Sequence, residues 1–237
     1  MRDLRLSVIF MHERVRKLVM RMPFDDLSEL RRGGEIELHE LPYFQEVATR
    51  MPHLKHLELW TNVPARSITK PLTSLLSSLP ALETVVLPKY YITSLILTTL
   101  SCLPHLGTIE YACDTSQGTG SISDIQSVSP TLHSGAFPSL CYLSLTATPT
   151  DMRRFLEMSF APLNLTDLYV DCWVKIIRGT KETRAFLACV SEVCQLLQKL
   201  YLDLLWMEKP RVCPMREAED QITFETLEPL LRCRKLV

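Results

Sequence analysis

Glycine is scarce in this chain, seven in 237 residues, which leaves few places for a loop that cradles phosphate. The pair Gly118 and Gly120 lies in a Ser/Thr-rich passage, not between a buried strand and a helix. There is no Gly-x-Ser-x-Gly elbow and no Cys-x-x-Cys pair. No apolar run approaches membrane-spanning length, and the stretch Met1 to Phe10 reads as too short and too interrupted for a signal peptide. Neither sign of charge is in excess: 26 basic and 27 acidic side chains leave a net charge of -1, so no global field draws nucleic acid or an anionic membrane. These absences argue against catalysis, cofactor binding and a metal centre. They predict an intracellular protein, cytoplasmic or nuclear, with neither nucleic acid nor membrane as partner.

What is present is leucine at a fixed spacing. Leu54/Leu57/Leu59 repeats as Leu82/Val85/Leu87, Leu106/Ile109/Tyr111, Leu140/Leu143/Leu145, Leu165/Leu168/Val170 and Leu197/Leu200/Leu202, with a weaker first copy at Val15/Leu18/Met20. Each step is about one strand plus one helix long, the period of a leucine-rich repeat. The expected fold is therefore α/β: a leucine-rich-repeat solenoid over residues 1 to 237, with about seven irregular repeats. Its parallel strands line a concave side, and its helices, wider than strands, form the convex side. The stretch Cys233 to Val237 has the shape of an eighth copy cut off in mid-strand. With no polar cap in sight, the chain is expected to be an excerpt of a longer array or to self-associate through that end.

Between the strands, 3.6-residue spacing of apolar residues predicts helices over Leu41 to Met51, Lys70 to Leu79, Ile92 to Leu103, Thr150 to Phe160 with Thr150 as N-cap, Thr180 to Leu197, and Thr223 to Cys233 with Thr223 as N-cap. Pro23 to Glu40, Asp114 to Ala136 and Glu208 to Gln221 read as loops. The eight cysteines stand mostly in apolar surroundings and read as small core residues. Those that the periodicity places in the core, such as Cys102 and Cys194, are poor nucleophiles.

The phrases Arg14-Val15-Arg16-Lys17-Leu18, Met51 to Leu59, Phe137 to Leu145 and Leu227 to Leu236 resemble those of F-box leucine-rich-repeat proteins, the substrate receptors of Skp1-cullin-F-box ubiquitin ligases, especially the irregular fungal set. The resemblance implies a non-catalytic protein-protein interaction module like the substrate-recognition region of such a receptor. Two features depart from the family. No F-box is recognisable before residue 50, and the Asn that follows the strand in regular repeats is found only at Asn62. Skp1 and cullin are therefore implied as partners only if an F-box exists outside this chain. The alternative is a fragment or vestigial repeat protein with a purely structural role.

Residues alternating with the triplets point away from the core. They are His56, Glu58 and Trp60; Thr84 and Val86; Thr108 and Glu110; Tyr142 and Ser144; Asp167, Tyr169 and Asp171; and Lys199, Tyr201 and Asp203. Trp and Tyr beside carboxylates suit a basic or amphipathic protein partner. The bland alternative makes Tyr169 and Tyr201 an ordinary cross-strand pair on a solvated sheet. His53 and His56 flank Leu54 and read as structural, not as ligands. Arg14, Arg16, Lys17 and Arg21 alternate over both sides of a strand and read as a solvated face.

Overall fold

The computed structural model describes residues 12–22, 41–61, 65–112, 130–158, 164–174, 179–206, 224–233 and 235–236. The expected loops at Pro23 to Glu40 and Glu208 to Gln221, the proposed cap Thr223 and most of the Asp114 to Ala136 passage lie outside the described residues.

Seven strands form one parallel sheet in chain order: β1 Lys17–Met22, β2 His56–Thr61, β3 Thr84–Pro88, β4 Thr108–Ala112, β5 Tyr142–Ala147, β6 Asp167–Val174 and β7 Lys199–Trp206. The connections carry helices α1 Leu41–Arg50, α2 Ala65–Ser77, α3 Ser94–Leu100, α4 Pro149–Met158 and α5 Gly179–Val193. A short α6 Phe224–Leu227 continues as a 3-10 turn, Glu228–Arg232.

Strands β2 to β7 begin the same way. A carbonyl just before one strand accepts two consecutive amides from the next. Lys55 and His56 donate to Arg16, Glu83 and Thr84 to Lys55, Gly107 and Thr108 to Glu83, Cys141 and Tyr142 to Gly107, Thr166 and Asp167 to Cys141, and Gln198 and Lys199 to Thr166, at 2.7–3.1 Å. Ahead of these sits a recurrent turn, in which the first triplet residue donates its amide to the carbonyl three residues earlier: Leu54 to Met51, Leu82 to Leu79, Leu106 to Leu103, Leu140 to Phe137 and Leu197 to Cys194. Val15 does the same to His12, and Leu236 to Cys233. Pro52, Pro80, Pro104 and Pro138 stand inside these turns, where a fixed φ and a missing amide donor cost nothing.

The shared start aligns the central triplet residues into one row, Leu18, Leu57, Val85, Ile109, Leu143, Leu168 and Leu200. From Leu57 to Leu168 this row is fully buried. Phe44 and Val47 of α1, Leu72 and Leu76 of α2, Leu97 and Leu100 of α3, Phe155 of α4 and Phe186 of α5 join the same continuous core, so the described helices cover one face of the sheet. Among the described residues, the other face carries the alternating side chains.

Several helix limits differ from the sequence reading. Helix α2 starts at Ala65, not Lys70, with Pro71 inside it; burial of Ile68, Leu72 and Leu75 outweighs the lost hydrogen bond. The N-cap of α4 is Thr148 and not Thr150. Its Oγ1 accepts the Asp151 amide at 3.1 Å and donates to Asp151 Oδ2 at 2.7 Å, a side-chain N-cap that leaves Pro149 at the first helical position. Helix α3 is trimmed to Ser94–Leu100 behind the cap Thr93. That trimming puts Cys102 past the helix end and exposed, against the core position its spacing predicts. Helix α5 ends at Val193, so Cys194 and Leu197 are buried from the following turn. The expected helix to Cys233 is a single α-turn followed by 3-10 geometry, since Pro229 cannot donate to the ladder.

At the end of the Ser/Thr-rich passage, Ala136 is core, not surface, and the adjoining Phe137 is core as well. Phe137 bridges two helices: its amide donates to the Ser101 carbonyl at 3.2 Å behind α3, and its ring meets Phe155 of α4 edge-on at 6.1 Å. Its φ of 54° costs a side chain roughly 1–2 kcal/mol, which burial of the ring offsets.

Leu143→Ala should destabilise the protein by about 2–5 kcal/mol through lost transfer energy and a cavity. Because each strand pairs only with its neighbours in the sheet, hydrogen exchange should quicken first in β4, β5 and β6. A uniform rise over all strands would contradict this local coupling.

Candidate functional site

The face of the sheet opposite the helices carries the residues that alternate with the triplets, in rows fixed by the register. His56 is aligned with Thr84 and, through β4, with Thr108, Tyr142, Asp167 and Lys199. Glu58 and Val86 lead to Glu110, while Ser144, Tyr169 and Tyr201 form the same row on the later strands. Thr146, Asp171 and Asp203 form the next.

At the β2 end, Glu58 sits between two neighbours on its own strand. It accepts from the Trp60 indole and lies 3.5 Å from His56 Nε2. Arg21 of β1 stands 5.9 Å above the Trp60 ring. This corner is internally matched, with charge and aromatic surface already in contact. His53 is exposed, and Arg14, Arg16, Lys17 and Arg21 are all exposed at the β1 edge.

At the β4–β7 end the arrangement is different. The Tyr142, Tyr169 and Tyr201 rings stack with centroids 5.2 and 5.7 Å apart and planes inclined by 26° and 25°. Tyr142 is register partner to Asp167, so its contact with Tyr169 is diagonal. Beside the stack lies an open depression of about 350 Å³, bordered by Glu110, Ser144, Asp171 and Asp203 as well as the rings. Asp171 is buried at 4% exposure, and Lys89, just beyond β3, reaches it at 2.5 Å. The same ammonium lies 5.7 Å from the centre of the Tyr111 ring. Sequence reading missed Lys89, because it follows the strand and falls outside the alternation.

Asp167 pairs with Lys199 at 3.1 Å and accepts the Thr166 hydroxyl at 2.7 Å. Burial pushes its carboxyl up, but the Thr166 hydroxyl and the Lys199 ammonium together hold it below the usual carboxylate range. Bonding to Asp167, reinforced by its charge, raises the Lys199 ammonium in turn. Of the five carboxylates on this face, Glu110 and Asp203 have no ion pair among the described residues.

Cys172, Cys189 and Cys194 are buried. Burial, then the charges of Asp171 and Asp203, push Cys172 far above the ordinary thiol range. Burial likewise raises Cys189 to about 11 and Cys194 to about 12. Among the described residues no cluster of His, Cys, Asp or Glu is placed to hold a metal ion, and no helix is long and apolar enough to cross a membrane. In comparisons with known proteins, no family model and no curated protein matches the chain.

The folded pKa of Asp167 is depressed, so its contribution to stability is complete above the ordinary carboxylate range and is lost as pH falls through the folded value. The urea midpoints of Asp167→Asn and the parent should differ most near neutrality and converge in acid. A gap that persists unchanged to the lowest pH would show that the aspartate acts through shape and not charge. Iodoacetamide at mildly alkaline pH should label exposed Cys102 in the folded protein while Cys172 and Cys194 react only on unfolding; labelling of all three at one rate would refute their burial.

Proposed function

We propose that this chain is a leucine-rich-repeat solenoid that binds a protein partner on the open, concave face of its sheet, with helices on the convex side. It is a non-catalytic interaction module of the kind found in the substrate-recognition region of an F-box ubiquitin-ligase receptor. The observation that carries the reading is the seven-stranded sheet in chain order with all strands in one register, covered by helices on one face and bearing three stacked tyrosines on the other. Parallel sheets are ordinarily covered on both faces. Among the described residues the helices lie on one face only, and a sheet that keeps aromatic rings on the other has the composition of an interface centre, where Tyr and Trp dominate binding. The resemblance of the triplet phrases to F-box leucine-rich-repeat proteins supplies the functional class. Skp1 and cullin enter only through an F-box outside this chain.

The test is affinity capture from a native extract with the chain, with the Tyr169→Ala/Tyr201→Ala double variant, and with Glu46→Ala on the helix layer as control. An anchoring tyrosine in a concavity contributes about 2 kcal/mol, so the double change should abolish capture that the control retains. Recovery of chaperones alone, or of proteins indifferent to the double change, would overturn the proposal. Skp1 and cullin subunits should appear only with a longer gene product that carries an F-box.

A further inference from the structure

We infer that the depression at the β4–β7 end takes an extended segment of the partner bearing two arginines four or five residues apart, one paired with Glu110 and the other with Asp203. This rests on the reading of the open face as the docking surface. Three observations carry it.

The first is an internal cation already seated in the same place. Lys89 lies between a carboxylate, Asp171 at 2.5 Å, and an aromatic ring, Tyr111 at 5.7 Å. Its charge satisfies the central acid of the depression. Glu110 and Asp203, on either side, have no cation among the described residues. The depression therefore keeps a net negative charge, unlike the β2 corner, where Glu58 is held by Trp60 and His56.

The second is spacing. Glu110 is on β4 and Asp203 on β7, three strands along, or about 14 Å across the sheet at the usual strand separation. Carrying the β4–β5 register one pair further sets Glu110 beside Ser144, and through it in line with Tyr169 and Tyr201, so Asp203 is offset by two residues along the strand. An extended chain covers about that span in four to five residues. The tyrosine stack fills the interval between the two acids. Tyr201, at its outer end, is 53% exposed. A guanidinium can stack flat on such a ring while its planar fork grips a carboxylate through two parallel hydrogen bonds, whereas an ammonium is a point charge that offers neither the flat stack nor the fork.

The third is a buried donor without a partner. The Thr146 hydroxyl has none among the described residues, although the residue is only 6% exposed. It shares its row, and so its face, with Asp171 and Asp203. A buried hydroxyl is ordinarily satisfied, and a backbone carbonyl of a segment crossing these strands would satisfy it after a small side-chain rearrangement.

The experiment is fluorescence anisotropy of the full chain with fluorescein-labelled Gly/Ser nonapeptides that carry arginines four residues apart. The comparison peptides have adjacent arginines, lysines at the same spacing, citrullines, or glutamates. The arginine peptide should bind saturably, and both Glu110→Gln and Asp203→Asn should weaken it about tenfold, as loss of one close charge pair does. Tyr201→Ala should weaken the arginine peptide more than the lysine peptide, and Glu46→Gln should change nothing. Neither carboxylate is paired, so both variants should keep the parent unfolding midpoint, which confirms that lost binding is not lost folding. Equal binding of citrulline or glutamate peptides, indifference to spacing, equal loss with Glu46→Gln, or no saturable binding would overturn the proposal. Tyrosine-dependent capture of a partner without arginine-peptide binding would remove this occupant and leave the docking face standing.

Discussion

The carbonyl that receives two amides from the next strand is the contact on which the rest of this structure depends. It fixes where each strand starts relative to its neighbour, from Arg16 through Lys55, Glu83, Gly107 and Cys141 to Thr166. A slip of one residue in a parallel pair would turn every inward side chain outward. By holding all strand pairs to one register, this column keeps Leu57, Val85, Ile109, Leu143 and Leu168 in a single buried row. The preceding turn contributes the complementary half at β2, β3, β4, β5 and β7, since its first residue (Met51, Leu79, Leu103, Phe137 or Cys194) is itself buried and seals the edge of the core beneath the strand.

The same constraint shapes the open face. One register in all pairs stacks like positions into rows, so chemistry assigned to single residues becomes chemistry of neighbours. Tyr169 and Tyr201 meet because they are register partners, and Tyr142 joins them on the diagonal. Carboxylates brought together by the same rows repel unless matched. The face resolves this differently at its two ends: through Trp60 and His56 around Glu58, and through Lys89 and Lys199 on Asp171 and Asp167. What is left over among the described residues, Glu110 and Asp203, borders the stacked tyrosines.

Burial on the open face runs deeper than a solvated sheet would give. Ser144, Thr146 and Asp171 are nearly closed off from solvent, and Val86 is 8% exposed. Rings standing on adjacent strands and the Lys89 chain lying over Asp171 account for part of this shielding. The result is a low-dielectric setting in which a matched charge counts for more than it would in water.

Which residues of the strands and of the main helix stripes face the core was determined by the sequence alone, because alternation along a strand and 3.6-residue spacing along a helix are local properties that the chain carries wherever it folds. The triplets, their central row, the buried stripes of Leu72, Leu75, Leu76 and Leu79, and the outward positions of His56, Glu58, Trp60, Tyr169, Tyr201 and Asp203 all followed from those two periods. Only tertiary structure decided what depends on neighbours. Packing decided that α2 tolerates Pro71 and that Cys102 falls outside α3, a local hydrogen bond made Thr148 and not Thr150 the cap, and the core claimed Phe137 at a positive φ. Lys89 is the clearest case. Nothing in its local pattern marks it, and it meets Asp171 only because β3 and β6 share a sheet, so the acidity of the depression was set by a lateral distance that no one-dimensional period encodes.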